Sequence, residues 1–484
     1  LDDFMRKTVP LDIVGGTSFD RYKKQSIEET YNMMISDGAL VPYAGYAKKL
    51  MLQATGEARE CYVSTKFDRL IVVIGQNIYA VDDDLGNSLI GSLESASGPV
   101  FISENEADQL AFVDGSSTLY LYTYTTGSSS FEKIDLAQGD PSHKLGVVSA
   151  GYITFQDTYF IIPDTLTNKW YISANNNGKL WSALDSAALQ TKPDVMVAVV
   201  AFDRQLFVMG KKVSEIWHDV GNPLFPYQRS NSLAIDYGCL SASTIATGFG
   251  MIVWLAANAK SGATIIYSDG GPPKTISTDG IDFKLDKLND STDSSGFLFQ
   301  EDAHIFYQVT FKSDNFTLVY DFNEQKFYSL TDERMNYHIA KRVAFFDNKH
   351  YFVSYRDAGL YELSTDYSTY KYVIGGTTLG EEIPRIRITK RYGTPTSSWF
   401  KVNSLNLTLE QGNSKVPQKV GLSIARNGGM SFGNVLMKDL FPLGKRTNKL
   451  VFWLLGASND MVFQIQFWGK TRFVVLNGVM EVEQ

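Results

Sequence analysis

The pentapeptide Gly429-Met430-Ser431-Phe432-Gly433 has the spacing of a nucleophile elbow, in which a strand turns sharply into a helix and exposes a serine to a histidine supplied later in the chain. Strand-like runs flank it on both sides and no histidine follows His350, so the sequence predicts no acyl-transfer chemistry at Ser431. With Asn427-Gly428 before it, the stretch reads as a single hairpin turn. Asp82-Asp83-Asp84-Leu85-Gly86-Asn87 could offer carboxylates to calcium, but an EF-hand register needs its glycine sixth and a glutamate twelfth. Gly86 stands fifth, directly after a strand, so a solvated turn is the better reading. Cys61 and Cys239 lie far apart, and His143, His218, His304, His338 and His350 occur singly, without metal-ligand spacing. No carboxylate pair, glycine-rich phosphate loop or nucleophile-base pair stands out. The expectation is a chain with no catalytic residues, no cofactor and no metal.

The densest basic cluster is Arg385, Arg387, Lys390 and Arg391, with Lys401 nearby. Arg385 and Arg387 fall on one face of a strand. Such a patch could meet phosphates or an acidic partner, and these four residues are the candidates for partner contact. A solvated edge that discourages strand pairing is the blander reading, and the sequence favours it.

The elements that would carry these residues are strands. Of 484 residues, 26 are Tyr and 30 are Phe, with 44% hydrophobic overall, a composition that favours sheet over helix and supplies ample core. The formal charge of −8 argues against a surface that seeks phosphate everywhere. No apolar run approaches the ~20 residues of a membrane-spanning helix, and Leu1 to Asp12 lacks the apolar stretch of a signal peptide. Soluble and unexported is the expectation.

Repetition organises the middle of the chain. Phe67-Asp68-Arg69-Leu70-Ile71-Val72-Val73, Phe202-Asp203-Arg204-Gln205-Leu206-Phe207-Val208 and Phe346-Asp347-Asn348-Lys349-His350-Tyr351-Phe352 each open a copy that reads as a strand, a polar turn, then a second strand ending in an aromatic. Weaker copies begin at Ala107, Phe155, Phe249 and Phe299. A period of roughly 40–50 residues without crossover helices is that of four-stranded propeller blades. The expected fold is all-β: a six- or seven-bladed β-propeller over residues 61–375, after an N-terminal extension over 1–60 with a helix at Lys24–Met34. A C-terminal all-β module of sandwich type follows over 376–484. The polar insertion at 268–296 is expected to hold a short helix near Ile281–Leu288.

The order of the segments resembles the packaged-DNA stabilisation (tail hub or nozzle) proteins of short-tailed bacteriophages. Val9-Pro10-Leu11-Asp12-Ile13-Val14-Gly15-Gly16 is similar to the family's opening, and Ala303-His304-Ile305-Phe306-Tyr307 with Thr317-Leu318-Val319-Tyr320-Asp321 to its hairpin. Asn427-Gly428-Gly429, then Trp453-Leu454-Leu455-Gly456, is similar to its closing pattern. Leu40-Val41-Pro42-Tyr43-Ala44-Gly45 is similar to a further step of the family, with Ala44 where Pro is usual, and Ala303 in the hairpin and Asn427 in the closing stretch also depart from the family's residues.

The resemblance implies a structural virion protein, soluble in the host cytoplasm before assembly, that forms a homo-oligomeric ring, commonly of six. The ring would lie below the portal and its adaptor, with a tail fibre or spike docked outside and a plug or needle closing the tip. It would retain packaged double-stranded DNA and conduct it, without sequence preference, during ejection. Each Lys or Arg gripping a phosphate would slow passage, so the lumen is expected not to be basic and the Arg385 cluster to face a protein partner or solvent. A propeller that binds or hydrolyses glycans is the alternative, with Trp170, Trp181, Trp217 and Trp254 as conceivable stacking platforms, although core packing suits them better. A cellular propeller scaffold is a third reading.

Overall fold

The computed structural model describes residues 6–19, 28–125, 127–137, 145–258, 260, 262–374, 377–394, 396–411, 418–440 and 447–483. Seven antiparallel blades occupy residues 58–92, 101–135, 154–188, 196–235, 238–275, 294–330 and 340–364, numbered here 1 to 7. The repeated Phe-Asp motif is the turn between the first two strands of a blade. Asp157 and Thr158 (φ 46° and 79°), Asp203 and Arg204 (46° and 59°), Asp302 and Ala303 (46° and 66°) and Asp347 and Asn348 (46° and 57°) form two-residue turns with both φ values positive. That geometry matches the twist of the flanking strands, and Asp tolerates it better than most residues.

Strand alternation then places each blade between two neighbours. In Arg69–Ile74 of blade 1, Leu70, Val72 and Ile74 pack with Phe346, Tyr351 and Val353 of blade 7, whereas Ile71 and Val73 pack with Leu110 and Phe112 of blade 2. Both faces are buried, which is why the run is continuously apolar. Equivalent clusters fill the seams between blades 2 and 3, 3 and 4, 4 and 5, 5 and 6, and 6 and 7. The wheel therefore has seven spokes and closes on itself.

Closure uses a strand from near the N-terminus. Gly45–Met51 pairs antiparallel with Gly359–Ser364 and supplies the fourth strand of blade 7; Thr369–Ile374 adds to its other edge in parallel. A second early strand, Glu29–Tyr31, pairs in parallel with Lys326–Leu330 of blade 6 and antiparallel with Arg385–Ile388. This joins blade 6 and the C-terminal strands into one ten-stranded sheet.

The helix expected at Lys24–Met34 is not formed where it is described: Glu29–Tyr31 and Met33–Ser36 are strands, and residues 24–27 lie outside the described residues. Thr30, Met33 and Met34 are buried against sheet partners, so tertiary pairing overrides the local preference. The helix in the polar insertion does form, over Asp279–Leu285, capped by Thr278 and seated by Ile281 and Leu285 between blades 5 and 6.

C-terminal strands make the two layers of a sandwich. Phe400–Gln411, Thr447–Ser458 and Phe473–Glu483 form one, and Arg385–Ile388, Gln418–Ala425, Leu436–Leu440 and Asp460–Phe467 the other. Leu405, Leu407 and Phe452 from the first meet Leu422, Phe463 and Ile465 from the second in the core that also serves blades 6 and 7.

Candidate functional site

Propellers place their chemistry where the innermost strands converge. Here Ala58–Ser64, Phe101–Glu104, Ala246–Gly248, Ser294–Glu301 and Ala340–Phe346, with Tyr152 and Ile153 before blade 3, surround an axial cavity of about 240 Å³. Its walls are Tyr62, Phe101, Ile102, Tyr152, Ile245, Phe297 and Val343, and its polar groups centre on Arg342 and Glu60. Arg342 Nη1 donates to the carbonyls of Ser243 and Gly296, each at 2.7 Å, and its Nε lies 3.2 Å from Glu60 Oε2. One side chain of blade 7 is thus tied to blades 5, 6 and 1.

Beside it, Lys341 Nζ donates to the Ala58 carbonyl at 2.8 Å and lies 3.5 Å from Glu57 Oε2. Arg59 donates to the carbonyls of Gly75, Gly98 and Ser95. Burial raises the Glu60 pKa, with Arg342 pulling the other way, and burial lowers that of Lys341, opposed chiefly by Glu57. These cations serve backbone oxygens and fixed carboxylates. Such an axis locks the wheel of blades, with the described cations of its lining held on carbonyls and carboxylates.

The four partner-contact candidates separate into two pairs. Arg385 is 2% and Arg387 1% exposed. Arg385 donates to the carbonyls of Ser368 (2.6 Å), Gly469 and Thr471, and burial lowers its pKa to about 10. Arg387 donates to the carbonyls of Asp12, Ile13 and Gly16 and pairs with Glu28. Both share a face, as strand alternation requires, and that face is inward. Lys390 and Arg391 stay near the surface, paired with Asp12 and Asp460.

Asn427–Ser431 is a turn in which Asn427 Nδ2 donates to Ser431 Oγ at 2.8 Å, and a strand, not a helix, follows it. Asp82–Gly86 is the turn between Asn77–Val81 and Asn87–Ser92. Trp170 and Trp254 are fully buried, with Trp217 and Trp181 nearly so, and Trp170 meets Trp217 edge to face at 5.3 Å. They are core residues. Arg342 escaped sequence reading because a lone arginine in Ala-Lys-Arg-Val-Ala-Phe-Phe carries no motif; only convergence of blades 1, 5, 6 and 7 gives it meaning.

A family model described as Phage_stabilise: Bacteriophage P22 Gp10, beta-propeller, matches residues 20–368. No curated protein sequence matches the chain. Among solved structures, selenomethionine-substituted virginiamycin B lyase from Staphylococcus aureus is similar at 11% identity and a TM-score of 0.45, covering 66% of this chain and 99% of that one. The β-propeller domain of Myceliophteria thermophila Cps50 (Swd1) is similar at 8% identity and a TM-score of 0.38, covering 68% and 100%. Likeness at that level carries no function across.

Proposed function

The chain belongs to the Phage_stabilise family, and we propose from that premise that it is a non-enzymatic ring subunit of a short phage tail that retains packaged DNA and conducts it on ejection. The observation that carries this reading is the span of the match, residues 20–368, which takes in the closing strand Gly45–Met51 and all seven blades. A structural role also fits an axis in which Arg342 and Glu60 form a fixed pair.

The axis bears on the route of the genome. A duplex whose major groove alone is about 12 Å wide does not thread a cavity of about 240 Å³ walled by Phe101, Tyr152 and Phe297. The conduit is therefore the space enclosed by several copies, six being the number expected, and not the hole of a single propeller. Portal and adaptor would sit on one face of that ring, a fibre or spike outside it, and a plug or needle at its tip.

Particles assembled without this chain test the reading. They are expected to package DNA and then lose it on standing, measured as nuclease-sensitive genome. Particles that keep a nuclease-resistant genome overturn the proposal. The glycan reading is not favoured, since the four tryptophans it would use are core residues.

A further inference from the structure

Charge is divided unevenly along the chain. Residues 376–484 hold 14 Lys and Arg against 7 Asp and Glu, whereas the 375 residues before them hold 31 against 46. The basic portion supplies most of the sandwich, the acidic portion all seven blades. Close to the propeller the positive charge is engaged internally: Arg385 and Arg387 are buried, and Lys390 and Arg391 are paired.

At the far margin Lys438 and Lys449 are not. Among the described residues, Leu436–Leu440 and Thr447–Ser458 are the edge strands of their two sheets and touch without forming a ladder. Lys438 Nζ stands 5.9 Å from the centre of the Phe452 ring, and Arg426 Nη2 donates to the Leu455 carbonyl at 2.6 Å, so both cations border Thr447–Ser458. Lys438 and Lys449 form no ion pair among the described residues. Trp453 and Leu454, exposed by 61% and 81%, lie on Thr447–Ser458 itself, and Met437, exposed by 53%, lies on Leu436–Leu440. A 12-residue edge strand without proline, flanked by bare apolar side chains, is what proteins normally cover.

We propose that this basic, tryptophan-bearing margin is the face by which one copy of the chain docks on the acidic propeller of the next. The surface and its complement lie on different parts of one chain, so the contact is heterologous, and a heterologous contact builds a ring where its rotation closes. Trp453 and Leu454 supply the apolar anchor of a protein interface, and Lys438, Lys449 and Arg426 orient it. Duplex DNA would meet the cations but would leave Met437 and Leu454 in water. The proposal rests on the ring reading and names the surface that builds the ring.

The test uses the full chain, sized by sedimentation at about 0.05 M and about 1 M NaCl, where charge screening differs most. The expected result is a ring at low salt and at least tenfold weaker association at high salt. Lys438→Glu with Lys449→Glu should weaken association at least tenfold at low salt, and Trp453→Ser at both salt concentrations, with unchanged thermal midpoints. If the double variant unfolds, Lys449→Glu alone replaces it.

A ring indifferent to salt and to these substitutions overturns the interface and leaves the ring reading standing. A monomer at both salt concentrations overturns both. A short random-sequence duplex that binds the wild type and is released by the lysine variants, while self-association persists, overturns the proposal in favour of a nucleic-acid surface.

Discussion

Arg342 holds the centre of the wheel with one guanidinium on the Ser243 and Gly296 carbonyls and the Glu60 carboxylate. Truncating it to Ala strands a buried carboxylate, so Arg342→Ala should destabilise the fold by about 3–5 kcal/mol. Arg342→Met combined with Glu60→Gln should recover much of that, measured by urea denaturation. Across the Arg385 segment the same logic divides neighbours by burial. Arg387→Ala breaks five interactions inside the protein and should cost about 3 kcal/mol or more. Lys390→Ala removes an exposed pair and should cost less than about 0.5 kcal/mol.

His338 sets a pH dependence. Its Nδ1 accepts from the Ala340 amide at 3.3 Å and lies 3.2 Å from Gln308 Nε2, and burial lowers its pKa to about 4, opposed by Asp332. Between pH 6.5 and 4 the unfolded chain takes up a proton at this ring that the folded chain refuses. Stability should therefore fall as pH drops through that window, by on the order of 3 kcal/mol in all. His338→Gln should flatten the fall; equal urea midpoints for the wild type at pH 7.5 and pH 4.5 would count against this.

At the scale of elements, the recurring Asp turns make the blades legible from the order of residues alone. Thr158 is the turn residue least suited to its place, being β-branched at φ 79°. Thr158→Gly should raise stability by about 1 kcal/mol, seen as a higher thermal midpoint. The strands of the C-terminal all-β module were legible as a class, because alternation and turn residues are local signals. The misplaced helix at Lys24–Met34 shows the limit: Glu29–Tyr31 is a strand because Lys326–Leu330 and Arg385–Ile388 take it up, some 300 residues away. No local pattern encodes that. The inward direction of Arg385 and Arg387 was equally illegible, since a basic pair on one strand face reads the same whether carbonyls or water receive it. Tyr46, on the closing strand, meets the rings of His338, Phe352, Tyr361 and Tyr370. Tyr46→Ala should cost about 3–5 kcal/mol and expose blade 7 to proteolysis before the other blades.

The whole molecule is a closed wheel coupled to a sandwich through the strand Glu29–Tyr31, which makes blade 6 and the sandwich parts of one sheet. A load applied to the sandwich is carried into the wheel by main-chain hydrogen bonds. The narrow axial cavity and the uneven charge bear together on the proposed ring: passage would be left to the space among copies, which the proposed contact between basic margin and acidic propeller would enclose.

The pairing of Gly45–Met51 with Gly359–Ser364 also constrains how the protein is made. A ribosome adding about 5–20 residues per second delivers the first of these strands roughly 15–60 seconds before the second. Throughout that interval the seam facing blade 7 lies open, with Leu70, Val72 and Ile74 of blade 1 uncovered. Nascent chains that stall before residue 359 should therefore accumulate as aggregates or chaperone clients, while those past residue 364 snap shut as a unit.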